Sequence, residues 1–155
     1  MADRELDTAL SDHFGFRCAI RRAGSNLATD AGDITLSPRY IASPIHLLST
    51  RSLSDLAGLL PQVVLNVSRF RPNIVVDTSA DENDWVGNQI AIGTYRGTVT
   101  EKTKRCGMTM LAQAELPEDP EILRTIVRNR QRCLGVYADV GSKGVISVGD
   151  RVLVG

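Results

Sequence analysis

A turn rich in cationic donors and a cysteine set among cations are the parts of this chain best suited to chemistry. The run Arg69, Phe70, Arg71, Pro72, Asn73 leads through Ile74, Val75 and Val76 to Asp77, and the pair Arg105 and Cys106 begins 28 residues later. A guanidinium presents a planar fork of donors that suits phosphate or oxo groups, and proline holds the backbone so that the fork is aimed. Lys102, Lys104 and Arg105 precede Cys106. Cations beside a cysteine favour its ionised form, which is the form that binds soft metals. These residue types together predict an anion-binding turn and a soft metal ligand.

The rest of the composition narrows the function classes. At 155 residues and 43% hydrophobic content the chain suffices for one domain with a real core, read here as a single domain over residues 1–155 with a flexible lead-in of about 15 residues. Its 18 basic and 18 acidic residues cancel, so no global field draws it to nucleic acid or an acidic membrane. The charged start of the chain, with Asp3, Arg4, Glu5 and Asp7, resembles no secretory signal, and no apolar run reaches membrane-spanning length. A soluble cytoplasmic protein is the expectation. Cys18, Cys106 and Cys133 are odd in number and lack short metal-ligand spacing, which argues against a disulfide scaffold or a zinc finger. His13 and His46 stand in no hydrolase signature. Arg124, Arg128, Arg130 and Arg132 could form a stripe, but with 5% aromatics there is little to stack on bases.

The elements that must position these residues are mostly short strands. Apolar runs at 16–20, 45–48, 74–77, 89–92, 95–99, 109–112, 134–140, 145–148 and 152–154, punctuated by Gly, Asp and Asn, predict a mainly β, α+β protein built as a barrel or sandwich. Residues 24–32, rich in small and polar types, read as a loop. A helix is expected over 52–60, opened by Ser52 and Asp55 at capping-box spacing and stopped by Pro61. A second helix starts after Asp119, with Pro120 at its first position and an apolar stripe of Ile122, Leu123, Ile126 and Val127 that seats it on the barrel's outside.

Several blocks occur in one order: Arg69 to Asn73; Glu82, Asn83, Asp84, Trp85, Val86, Gly87; Ile92, Gly93; Arg105, Cys106; Gly135, Val136, Tyr137; and Gly149, Asp150. In this order and spacing the chain resembles the MOSC domain family, named for the C-terminal part of molybdenum cofactor sulfurase, from about Phe14 to Gly155. The resemblance implies a strongly bent β-barrel-like core with peripheral helices. It also implies molybdenum cofactor, an anionic pterin whose dithiolene holds the metal. By motif, Cys106 would be the metal ligand and catalytic residue, and Arg71 and Asn73 would grip the pterin or its phosphate. Arg105 joins them from the same block, and the helix opening near Ser52 offers amides to an anion.

What the resemblance implies about activity stays open between two roles, beside a third in which the pocket serves another ligand. One is an oxidoreductase that removes oxygen from N-hydroxylated or related small substrates, served by an electron-donor protein. The other is a carrier of the cofactor, or of sulfur on Cys106, without turnover. Larger family enzymes have an N-terminal β-rich module that adds cofactor contacts. Here those contacts would come from Arg17, Arg21 or Arg22, from a second copy in a homodimer, or from a partner protein.

Overall fold

Leu47 and Leu48 are neighbours in sequence, both fully buried, and they belong to different cores. Side chains of a strand alternate between faces, so strand β3 (Ile45–Ser49) must be covered on both sides. In the computed structural model, which describes residues 4–20, 26–29, 32–35 and 45–155, that strand lies inside a curled six-stranded sheet of order β4-β3-β7-β6-β5-β8. The other strands are β4 (Ile74–Val76), β5 (Gln89–Ile92), β6 (Tyr95–Lys104), β7 (Cys133–Ala138) and β8 (Val152–Val154). All neighbours are antiparallel except β3 and β4. A parallel pair needs a crossover, and helix α2 (Thr50–Leu59) supplies it.

One face of the sheet carries Leu47, Val76, Trp85, Ile90, Ile92, Tyr95, Val99, Val136 and Ala138. The other carries Leu48 and Leu134 and is covered by Phe70, by Leu56 and Leu60 of the α2 region and by Ile122 and Ile126 of helix α3 (Pro120–Arg130). Helix α3 begins as expected: Asp119 accepts from the Glu121 amide and Pro120 sits in the first turn. The cap of helix α2 lies three residues before the expected one. Ser49 is the N-cap and accepts from the Ser52 amide, so Ser52 occupies the first turn.

The chain divides into two compact units, Met1–Ala42 and Ser43–Gly155. In the first, the expected lead-in holds helix α1 (Arg4–Phe14), and the expected strand over 16–20 is absent. Its backbone is spent on the helix instead: the Cys18 amide donates to Ser11 Oγ, that hydroxyl donates to the Cys18 carbonyl, and the Ile20 amide donates to Asp7 Oδ1. The expected loop over 24–32 lies partly outside the described residues. Within them, β1 (Asn26–Thr29) and β2 (Gly32–Thr35) pair as an antiparallel ribbon.

Two further strands expected from apolar runs do not form. Residues 109–112 make a turn because the buried Arg69 guanidinium captures the carbonyls of Thr109, Leu111 and Pro117 at 3.3, 2.9 and 2.8 Å. Residues 145–148 run irregularly behind Gly144, where a Cβ would sit 2.6 Å from the Tyr95 Cα and nothing larger than glycine fits. Among the described residues, no helix is long and apolar enough to cross a membrane.

Candidate functional site

The Arg71 turn is built by a short 3-10 helix, Val67–Phe70, capped by Asn66 through the Ser68 amide. It ends with Arg71 in the left-handed region at φ 53° and ψ 47°. For a residue with a Cβ that conformation costs free energy, and it turns the chain from the helix into β4. Asn73 anchors the turn to β3: its Oδ1 accepts from the His46 amide at 2.7 Å, and its own amide donates to the His46 carbonyl at 2.9 Å. Thus the Asn73 carboxamide oxygen is committed to the backbone. The Arg71 side chain is exposed and makes no hydrogen bond or ion pair among the described residues.

Cys106 comes to this turn at the end of β6. Two irregularities in the β6 to β7 register, between Val99 and Glu101 and between Lys102 and Lys104, bend the strand before it leaves the sheet. Beyond them, the Arg105 amide donates to the Arg132 carbonyl at 2.8 Å and Arg132 Nε donates back to the Arg105 carbonyl at 2.7 Å. Arg105 then reaches across: Nη2 donates to the Phe70 carbonyl at 2.8 Å, and the guanidinium lies 5.6 Å from the centroid of the Phe70 ring. The residue before Cys106 is therefore fastened to the residue before Arg71. Burial lowers the Arg105 pKa from its ordinary value. Cys106 itself is exposed, whereas Cys133 is buried in β7.

His46, which the sequence did not single out, lies beneath this junction. It is 6% exposed, with Nδ1 3.5 Å from the Arg71 carbonyl and its ring 5.6 Å from that of Tyr137. Burial lowers its pKa to about 4, and the nearby Arg105 charge adds to the effect. The ring is neutral near pH 7, and its buried Nε2 lacks a well-formed hydrogen bond among the described residues, although the Leu134 backbone interacts with the imidazole. Gly135 makes room for it. At φ +86° this glycine bends β7, and a Cβ there would collide with His46 Nε2 and approach the Leu47 carbonyl to 2.8 Å.

The amino end of α2 proves to be occupied by the protein itself. Glu82, fully buried, accepts from Ser49 Oγ, from Ser52 Oγ at 2.6 Å and from the Gly135 amide at 2.9 Å. Arg130 Nη2 in turn donates to Ser52 Oγ at 2.7 Å and to Asp81 Oδ2 at 3.0 Å. A carboxylate is favoured at a helix amino terminus, and here Glu82 fills the place where an external anion was expected. Ser52 has no exposed surface and its hydroxyl is engaged on both sides. The structure therefore brings Arg71, Asn73, Arg105 and Cys106 into one neighbourhood and sets Ser52 in a buried network behind it.

A cavity of about 880 Å³ lies elsewhere. It opens between β4 and β8, the two edge strands, and is lined by Asn73 to Thr78, Ala80, Trp85, Ile92, Ile146 to Val152 and Val154. Asn73 touches both regions; Cys106 does not line the cavity. Arg17 is exposed in the first unit, and Arg21 and Arg22 lie outside the described residues.

This combination of a curled sheet, an Arg-Pro-Asn turn and an exposed cysteine after an arginine has a family behind it. The MOSC domain profile matches residues 11–153, and the chain belongs to the MOSC domain family. It is 36% identical over 95 residues to the molybdenum cofactor sulfurase of Drosophila ananassae, a match covering 57% of this chain and 12% of that protein. Among solved structures it is similar to YiiM from Geobacillus stearothermophilus, with TM-score 0.57, 14% identity and coverage of 85% of this chain and 71% of that one. It is also similar to the YuaD protein of Bacillus subtilis, with TM-score 0.62, 16% identity and coverage of 83% and 74%. The structural likenesses establish the bent-barrel α+β fold.

Proposed function

We propose that the chain binds molybdenum cofactor where the Arg71 turn meets the end of β6, and acts there as an oxidoreductase on N-hydroxylated or related small substrates. The observation that supports this reading is the bond from Arg105 Nη2 to the Phe70 carbonyl, which ties together the residues that precede Cys106 and Arg71. Membership of the MOSC family and the likeness to a molybdenum cofactor sulfurase support it. The donor set suits such a group. Cys106 offers one soft ligand and Arg71 an uncommitted guanidinium. No three His, Cys, Asp or Glu side chains gather into a metal cage among the described residues. A metal that arrives in its own chelate needs no such cage, and one added thiolate completes its binding.

When bound, the cofactor would supply the metal-centred oxygen and electron transfer. Cys106 would anchor it, Arg71 would pair with an anionic group through a charge-assisted hydrogen bond, and Arg105 would hold the two segments in register from below. Removing oxygen from an N-hydroxylated substrate takes up two electrons and two protons and releases water, so the reaction requires an electron-donor protein. A second reading, a carrier of cofactor or of sulfur on Cys106, is favoured by one observation: Cys106 does not line the 880 Å³ cavity and is itself exposed.

The test is metal content and turnover of protein purified anaerobically from a host that makes the cofactor. We expect stoichiometric molybdenum and reduction of an N-hydroxylated probe such as benzamidoxime, with molybdenum lost in Cys106→Ser and kept in Cys133→Ser. Molybdenum without turnover would transfer the assignment to the carrier. Normal molybdenum in Cys106→Ser would overturn the role of Cys106.

A further inference from the structure

Among the described residues the curled sheet ends at β4 on one side and at β8 on the other, and nothing pairs with the outer edge of either strand. The registers set their directions. Strands β3 and β4 are parallel, and four antiparallel steps lead from β3 through β7, β6 and β5 to β8, so the two edge strands run the same way. The cavity of about 880 Å³ occupies the seam between them. Ile74, Val76, Trp85, Ile92, Val152 and Val154 give it an apolar wall that belongs to the first core or packs against it. Val75, Ile146 and Val148 on the same lining are exposed.

The backbone at the seam is also uncommitted. The Gly155 amide donates to the Gln89 carbonyl at 3.2 Å, and bonding alternates along an antiparallel pair. Leu153 therefore bonds to β5, and the N–H and C=O of Val152 and Val154 point the other way, into the seam. On the opposite edge, the His46 amide and carbonyl both face Asn73, so Leu48, two residues on, also faces β4. Leu48 stands opposite Val75. In a parallel pair its two bonds go to the neighbours of that residue, Ile74 and Val76, which leaves the N–H and C=O of Val75 turned to the seam.

We propose that this seam takes an extended segment of a partner protein as an added strand. Free N–H and C=O groups along an edge select a polypeptide backbone, and the apolar wall selects apolar side chains at every second position. Because β4 and β8 run the same way, a single strand can be antiparallel to both. Charge complementarity then fixes what flanks it. Asp77, at the carboxyl end of β4, is exposed, accepts from Thr50 Oγ1 at 3.0 Å and forms no ion pair among the described residues. Arg51, which reaches the Ser79 carbonyl near this end, is already held by Asp55 at 2.8 Å. Asp150 and Arg151 stand together before β8, towards the other end, and offset each other. An antiparallel segment brings its amino-terminal flank to Asp77, so that flank carries lysine or arginine. The inference holds whatever Cys106 binds.

The test uses the full chain and a fluorescent peptide of two lysines followed by alternating valine and threonine. Its controls have the lysines last, the valines contiguous, or alternate backbone nitrogens methylated. Anisotropy reads binding, and so does the emission of Trp85, the single tryptophan of the chain, which lines the cavity. The lysine-first peptide should bind best, and methylation should weaken it by about tenfold through lost backbone bonds. Val154→Pro removes an amide that points to the seam and spares those bonded to β5, a place where an edge strand tolerates proline. It should weaken binding to a similar degree with circular dichroism unchanged. Asp77→Asn, which keeps the Thr50 contact, should erase the preference for the lysine-first peptide. No binding of any peptide, or equal binding of the methylated or contiguous one, would overturn the proposal. So would self-association of the chain that Val154→Pro abolishes, since the occupant would then be a second copy.

Discussion

Replacing Gly135 by alanine tests whether the bend in β7 exists to admit His46. Two costs follow from the geometry. The backbone at φ +86° strains any residue with a Cβ, by about 1–2 kcal/mol if it resembles the left-handed helical region. The new methyl would also collide with His46 Nε2 and press on the Leu47 carbonyl at 2.8 Å, and overpacking of this kind costs about 1–3 kcal/mol. The sum, roughly 2–5 kcal/mol, is a large share of the ~5–15 kcal/mol that holds a domain together.

Urea denaturation followed by tryptophan fluorescence reads this directly, because Trp85 belongs to the core next to β7. The discriminating variant is the double one. His46→Ala removes the ring but leaves the Leu47 carbonyl, so in the Gly135→Ala background it should cost about 1–2 kcal/mol less than it does alone. A Gly135→Ala protein within about 0.5 kcal/mol of the parent, the range of an uneventful surface change, would refute the argument. Strict additivity of the two changes would show that the bend serves something other than the ring.

Glu82→Ala strips Ser49, Ser52 and the Gly135 amide of their acceptor; at about 1–3 kcal/mol for each orphaned group, less than additively, the loss should be roughly 3–5 kcal/mol by urea denaturation. Glu82→Gln, which keeps one acceptor oxygen, should lose visibly less. His46 makes stability depend on pH: its folded pKa, about 4, lies below the unfolded 6.5, so the unfolded chain takes up the proton first. Stability should therefore fall as pH drops from about 6.5 to 4, by at most ~3 kcal/mol, and His46→Phe should flatten that part of the profile. Arg71→Ala should leave the melting of cofactor-free protein nearly unchanged, because the side chain is exposed and unpaired, while cofactor retention measured by molybdenum content should drop in keeping with one charge-assisted bond of roughly 1.5–3 kcal/mol. Unfolding of the cofactor-free Arg71→Ala protein would make the residue structural.

The sequence was legible where local rules and tertiary demands agree. Asp119 and Pro120 open α3 as their types require, and apolar runs between turn residues located β5 and β8 with their observed limits. It was misleading where a side chain competes for the backbone. An apolar run at 109–112 satisfies every local condition for a strand, yet its carbonyls belong to Arg69, forty residues upstream. The same competition hid half of the site. Arg71, Asn73 and Cys106 could be picked out because donors and a soft ligand are unusual in a turn and at a strand end. His46 and Glu82 could not, since a lone histidine in an apolar run and an acid beside turn residues are ordinary in sequence and become significant only through Gly135. That glycine is where the two meet: its amide satisfies Glu82 and its missing Cβ admits the His46 ring. The buried carboxylate behind α2 and the imidazole under Arg71 therefore act on the same bend in β7. A disturbance at Glu82 should reach the Arg71 turn through that bend, although Glu82 itself is fully buried.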